Sequence, residues 1–356
     1  MKTINDKFYP AIDGLRAFSF LIVFFFHAGV PGMKFGWGGV TIFFAISGFL
    51  ITGILLRNKS KNAYFKSFFI RRSLRIFPLY YLTVLTLFTG VWLRFPEVSG
   101  ALIYLVTYTQ NYFYYEMTSF PYMDLLAHTW TLAIEEQFYI IWPFFIYFIN
   151  AKYLKFLFPT IIIFSVVFRT FGIELFKYNY INLLSQLDSL VIGAMLALLL
   201  FNQISIKRLK LIMKFSLLMG IIGIFTTLIY LSRIYSLALG TTFMEIGGKV
   251  DYLHNKLGVN LFFFISLIAL GLIILCITEN NYVYRIFNNS VLKHLGKISY
   301  GMYLFHYPIL IILRTYVSQN VFILCVLGFL ITYLISILSF KTIELYFNRL
   351  KTKFTY

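Results

Sequence analysis

The sequence predicts an all-α membrane protein, a polytopic bundle of about ten transmembrane helices with both termini in the cytoplasm. Three observations predict it. Of the 356 residues, 60% are hydrophobic and only 12% charged, about half the charged share of a soluble domain. The apolar residues gather in stretches with almost no charge, and lipid admits these only as helices of about 20 residues, because each backbone group must find its partner within its own segment. Lysine and arginine then concentrate in alternate connections, as the positive-inside bias requires.

In chain order the expected spans are residues 12–30, 38–56, 76–95, 129–149, 157–173, 181–201, 211–231, 258–278, 297–315 and 320–340. The first follows a short basic lead. Asp13 and Arg16 interrupt it and no small-residue cleavage site follows, so it reads as an uncleaved helix and not a signal peptide. With the N-terminus inside, the inner connections hold Lys2 and Lys7, then seven basic residues from Arg57 to Arg75, then Lys152 and Lys155. They continue with Lys207, Arg208, Lys210 and Lys214, with Arg285, Lys293 and Lys297, and with Lys341, Arg349, Lys351 and Lys353. The outer connections hold Lys34, Lys177, Arg233, Lys249 and Lys256, and the long one from Pro96 to His128 has no Lys or Arg.

The apolar piece Ala101 to Tyr115 is short and crowded with polar and aromatic residues. As an eleventh span it would put every later basic loop outside, so an interfacial or re-entrant segment is expected. The net charge of +18 then reflects the inner loops and their attraction to anionic lipid, and no nucleic-acid module is visible. Cys276 and Cys325 lie inside spans as small hydrophobes without metal-ligand spacing, and no metal site is expected.

Chemistry is expected where the spans carry ionisable groups. Arg16 and His27 are 11 residues apart; at helical pitch that is about 20° from three full turns and roughly 16 Å of rise, so they share a face, Arg16 inward and His27 in the outer half. Asp13 joins that face. Snorkelling of Arg16 and an interhelical bond from His27 are the structural alternatives. The fourth span, opening "HTWTLAIEEQFYIIWP", brings Glu135 and Glu136 to the same depth, the fifth brings Arg169 and the sixth Asp188.

These groups are expected to face one another across a polar cavity, with His27 and Glu136 as an acid–base pair. An ion-pair network that only joins the helices remains open. At the inner pole Arg71, Arg72 and Arg75 are expected at a helix start, where they suit phosphates or anionic lipid. Ser47 of "GVTIFFAISGFLITG" and His306 of "GKISYGMYLFHYPIL" are further cavity candidates; the glycines of the first suit close helix packing, and His306 either lines the cavity or bonds across helices. His128, at the outer boundary of the fourth span, reads as a solvated residue.

"DGLRAFSFLIVFFFH", "GVTIFFAISGFLIT", "FIRRSLRIFPLYYL", "HTWTLAIEEQFYIIWP" and "GKISYGMYLFHYPI", in that order over residues 8–345, resemble the acyltransferase 3 family of integral-membrane O-acyltransferases. The resemblance implies a ten-helix bundle of the bacterial inner membrane. It moves an acyl group, commonly acetyl from acetyl-CoA as co-substrate with no permanent cofactor, to a hydroxyl of a polysaccharide such as O-antigen or of a lipid-linked sugar.

It further implies that Arg16 and His27 form the family's spaced Arg–His pair and that Arg72 and Arg75 form its paired-arginine element. Where the family has Ser-Trp-Ser-Leu this chain has Thr129-Trp130-Thr131-Leu132 after His128, with Glu136 in register. Relatives often append an extracytoplasmic esterase-like domain; the chain ends soon after its last span, so a single acyltransferase domain, 1–356 with spans over 12–340, is expected. The expected partners are the sugar acceptor and membrane lipids, with the oligomeric state open. The alternative is a transporter or flippase, since mid-membrane polar groups also mark substrate paths; no inverted repeat or matched pair of broken spans is visible.

Overall fold

The computed structural model describes residues 9–119, 122–172, 179–246, 255–279 and 281–356; Lys2, Lys7, Lys177, Lys249 and residue 173 of the expected fifth span lie outside them. The helices are α1 Pro10–Ala28, α2 Gly38–Asn58, α3 Tyr64–Trp92, α4 Leu102–Val106, α5 Tyr114–Ser119, α6 Trp130–Phe148, α7 Ala151–Phe171 and α8 Leu183–Phe201. They continue with α9 Ile206–Ile234, α10 Leu239–Glu245, α11 Leu261–Ile277, α12 Tyr282–Phe287, α13 Ser290–Lys297, α14 Ser299–Tyr316, α15 Val321–Ser339 and α16 Leu345–Leu350. A wider π turn, Phe340–Glu344, joins the last two.

Ten of these, α1, α2, α3, α6, α7, α8, α9, α11, α14 and α15, stand where spans were expected. Among the described residues eight helical stretches are long and apolar enough to cross a membrane. The other two, α6 and α14, have 19 and 18 residues but are diluted by Glu135, Glu136 and Gln137, and by His306, Arg314 and four tyrosines. The chain is a multi-pass membrane protein. The segment after Pro96 makes only a 3-10 turn, Pro96–Ala101, and the five-residue α4, too short to cross. One expectation is corrected: α3 runs for 29 residues from Tyr64, so Arg71, Arg72 and Arg75 lie inside a helix and not at its start.

Local signals set the ends. Pro10 opens α1 with its fixed φ. Gly29 closes it at φ 82°; its N–H bonds back to the Phe26 carbonyl and that of Val30 to Phe25, both at 3.1 Å, so α1 ends just past His27. Asn150, Asn182 and Asn320 cap α7, α8 and α15 by accepting backbone N–H bonds at 3.0, 2.9 and 2.9 Å.

The chain packs as two units, one made of the residues up to Arg57 with Phe144–Lys297, the other of Asn58–Pro143 with Ile298–Tyr356. In the first, α1 lies on α11, α12 and α13, and α11 on α8 and α9. Glycines set the closest approaches: a Cβ on Gly14 would lie 1.9 Å from the Phe287 carbonyl oxygen, and one on Gly296 1.8 Å from that of Asp13. A Cβ on Gly48 would lie 1.7 Å from the Leu190 oxygen and one on Gly193 1.9 Å from that of Ala45. Backbones this close gain dispersion where lipid gives helices no hydrophobic reason to associate. In the second unit α14 packs on α15 and α3, and α3 on α16. Tyrosines there serve backbone carbonyls: Tyr64 bonds to Pro143, Tyr300 to Ile76 and Tyr80 to Leu105, at 3.0, 2.9 and 2.9 Å.

Gly48→Ala should therefore force α2 from α8, cost about 1–3 kcal/mol and lower the thermal midpoint in detergent. Gly90→Ala, whose added Cβ meets nothing within 4 Å, should leave it unchanged. An equal loss at both positions would remove the packing account.

Candidate functional site

In the first unit α1 carries Asp13, Arg16 and His27. Arg16 Nη1 lies 3.8 Å from Asp13 Oδ1, one turn away, with the side chains 15% and 18% exposed. His27 is half-buried in the last turn, its ring 5.0 Å from that of Phe26. Ser47 is half-buried on α2.

Arg169 and Asp188 engage each other. Arg169 Nη1 donates to Asp188 Oδ1 at 2.9 Å and Nη2 to Oδ2 at 2.7 Å, and both side chains are fully buried. Arg169 Nη1 also donates to the Ser185 carbonyl. Ser165 Oγ donates to Asp188 Oδ1 at 3.4 Å, and Phe262 puts its ring 5.6 Å from the guanidinium. This planar fork joins α7 to α8 and satisfies both carboxylate oxygens. Of the two readings the sequence left open for this pair, the geometry carries the one that joins helices.

In the second unit α3 presents Arg72 between two rings, 5.5 Å from the Tyr139 centre and 6.0 Å from Phe68. Arg75 and Glu136 are among its electrostatic neighbours. Glu136 is buried on α6, and its Oε1 has no hydrogen-bond partner among the described residues; Glu135 beside it is half-buried. Within its own unit Glu136 thus has Arg72 as an electrostatic neighbour, while His27, its expected partner, belongs to the other unit. Arg71 turns elsewhere, donating to the carbonyls of Lys351 and Phe354 at 3.2 and 3.0 Å.

The structure corrects the reading of His128, which is buried. Its Nε2 donates to the Leu304 carbonyl at 3.1 Å, and its ring lies 5.5 Å from that of His306 and 5.2 Å from that of Tyr307. His306 is itself fully buried, with Nδ1 2.6 Å from the Tyr303 carbonyl. Because a carbonyl only accepts, each contact fixes a tautomer. The Tyr303 hydroxyl lies 2.8 Å from Thr131 Oγ1 and donates to the His128 carbonyl at 3.3 Å, closing the cluster.

Burial holds the His128 imidazole well below the ordinary histidine range; the His306 ring pushes the same way and the Leu304 carbonyl pulls back. Sequence reasoning also passed over Gln110, which is buried and donates to the Tyr80 hydroxyl and the Thr129 carbonyl, each at 3.1 Å. Two residues before it Tyr108 holds φ 54°, a left-handed conformation costly for a bulky residue.

Residues 9–341 match a family described as an acyltransferase domain. The peptidoglycan O-acetyltransferase OatA of Listeria monocytogenes is 29% identical over 364 residues, covering 96% of this chain and 56% of the relative. The O-acetyltransferase OatA of Staphylococcus aureus is 25% identical over 366 residues, covering 96% and 58%. The chain thus spans little more than half the length of the curated relatives it matches. No solved structure matches it.

Two outcomes follow from the buried ionisable groups. Arg169→Met should destabilise the protein by about 3–5 kcal/mol by stranding Asp188, and adding Asp188→Leu should recover most of that loss. A double variant as unstable as the single would show that the pair supplies more than mutual neutralisation. His128 is neutral when folded and titrates near its ordinary value when unfolded, so the unfolded state binds the extra proton and stability falls as pH drops below about 6.5. Thermal midpoints from pH 8 to 5 should fall less steeply in His128→Gln; an unchanged slope would refute the assignment.

Proposed function

The chain belongs to the acyltransferase 3 family, and from that premise we propose that it is an O-acetyltransferase. It takes acetyl from acetyl-CoA at the cytoplasmic face and esterifies a hydroxyl of a cell-surface glycan or lipid-linked sugar. Peptidoglycan, after which the Listeria relative is named, is the first acceptor to test. The observation that supports the reading is α1: in a membrane helix it keeps Arg16 beside Asp13 and a half-buried His27 three turns on, with no ionisable residue between them. Such groups are retained in lipid for function.

His27 accepts the proton of the acceptor hydroxyl as its oxygen attacks the acetyl carbonyl. The C–S bond breaks, an ester C–O bond forms, and the proton ends on the departing thiolate of CoA. Arg72 and Arg75, one turn apart on α3, grip CoA phosphates. Asp13 and Arg16 hold one another near the inner end of α1.

Reconstituted protein given acetyl-CoA and an undecorated glycan should release CoA thiol and leave an acetyl ester detectable by mass spectrometry. His27→Ala should slow turnover about 100-fold or more with an unchanged thermal midpoint, and Arg72→Ala should chiefly raise KM for acetyl-CoA, by about tenfold. Intact acetyl-CoA alongside movement of the glycan precursor across the bilayer would show a transporter instead, and near-normal turnover in His27→Ala would end the acid–base role.

A further inference from the structure

The arginine face of α3 is strapped by residues 351–356. Arg71 Nη1 donates to the carbonyls of Lys351 and Phe354 at 3.2 and 3.0 Å. Ser67 Oγ, one turn earlier, donates to that of Thr355 at 2.6 Å, and the Arg71 guanidinium stands 5.8 Å from the centre of the Tyr356 ring. The strap brings a fourth cation. Lys351 is half-buried, in electrostatic reach of Arg75, Arg72 and Arg71, and its ammonium donates to Asn348 Oδ1 at 3.3 Å.

Among the described residues none of these four cations makes a salt bridge. Like charges gathered on a half-buried face repel one another, and an anion that joins them removes that cost. Arg71 differs from its neighbours in kind. Its Nη1 is turned to two backbone carbonyls, which fix the course of the strap, whereas an anion bound there would be met by Arg72, Arg75 and Lys351.

We propose that Lys351 is a phosphate-binding residue of the acyl-CoA donor site, and that Arg71 and Ser67 are positioning residues that hold the strap so that Lys351 joins Arg72 and Arg75. The proposal rests on the donor reading above and deepens it. An ammonium suits a phosphate as a point charge, while the guanidiniums add directed pairs of bonds.

The test is equilibrium binding of acetyl-CoA and of S-acetylpantetheine, which lacks the phosphates, to the full chain in lipid nanodiscs. Lys351→Ala should weaken acetyl-CoA binding about tenfold, Lys351→Arg should restore it, and S-acetylpantetheine should bind all forms alike. Arg71→Ala should weaken acetyl-CoA in the same way, and adding it to Lys351→Ala should cost nothing more, because it acts through the strap. Additive losses would overturn the positioning role. Wild-type affinity in Lys351→Ala together with weakened binding in Arg72→Ala would overturn the proposal and leave the donor reading intact. Wild-type affinity in both would overturn the donor reading and the proposal with it.

Discussion

Where Gly14 meets the backbone of Phe287 and Gly296 meets that of Asp13, α1 is held against its neighbours without intervening side chains, and the placing of its ionisable residues depends on that contact. Lipid tails are as apolar as leucine, so helices in a membrane stay together through close packing and hydrogen bonds. A contact between backbones fixes both the distance and the rotation of α1. Rotation decides which way Asp13, Arg16 and His27 point, since they share one stripe of the helix. The Gly29 cap then sets where the stripe ends. His27 is thereby placed by backbone geometry at both ends of its helix.

The buried charges divide by whether they are neutralised. Arg169 and Asp188 cancel, with two short bonds and full burial, and such a pair does not welcome a charged ligand because each partner would have to be released. The arginines of α3 and Lys351 gather positive charge at one place. A clasp and a ligand site can hold the same residue types, and the local charge balance separates them.

Much of this was legible in the sequence, for stated reasons. The ten long helices followed from apolar length, because the bilayer fixes how long a span must be. The forward extension of α3 did not, since "NAYFKSFFIRR" lacks the apolar run that marks a span and is helical through its packing in the second unit. The depth of Arg169 and Asp188 came from helical rise, but their engagement depends on the rotation of α7 and α8, and for α8 the close approach of Gly48 and Gly193 to the facing backbone helps to set it. His128 was misread because its burial comes from α14: the carbonyl that fixes its tautomer belongs to Leu304, 176 residues on. "GKISYGMYLFHYPIL" held half of that cluster, but nothing in its spacing names the partner.

Among the described residues the three buried or half-buried histidines also differ in what they can do with a proton. His128 and His306 each commit one nitrogen to a backbone carbonyl and are closed off from solvent. Protonating either would place a charge in a dry cluster where Tyr303 and Thr131 offer hydroxyls. Such rings suit fixed tautomers that lock α14 to the start of α6. His27 sits in a last helical turn, half-exposed, beside a glycine-capped end where backbone carbonyls favour positive charge. A group that must gain and lose a proton in each turnover needs both a route for the proton and a site that tolerates the charge. Of the three, His27 alone combines these features, which is why the proposed acid–base role falls to it and not to the buried pair.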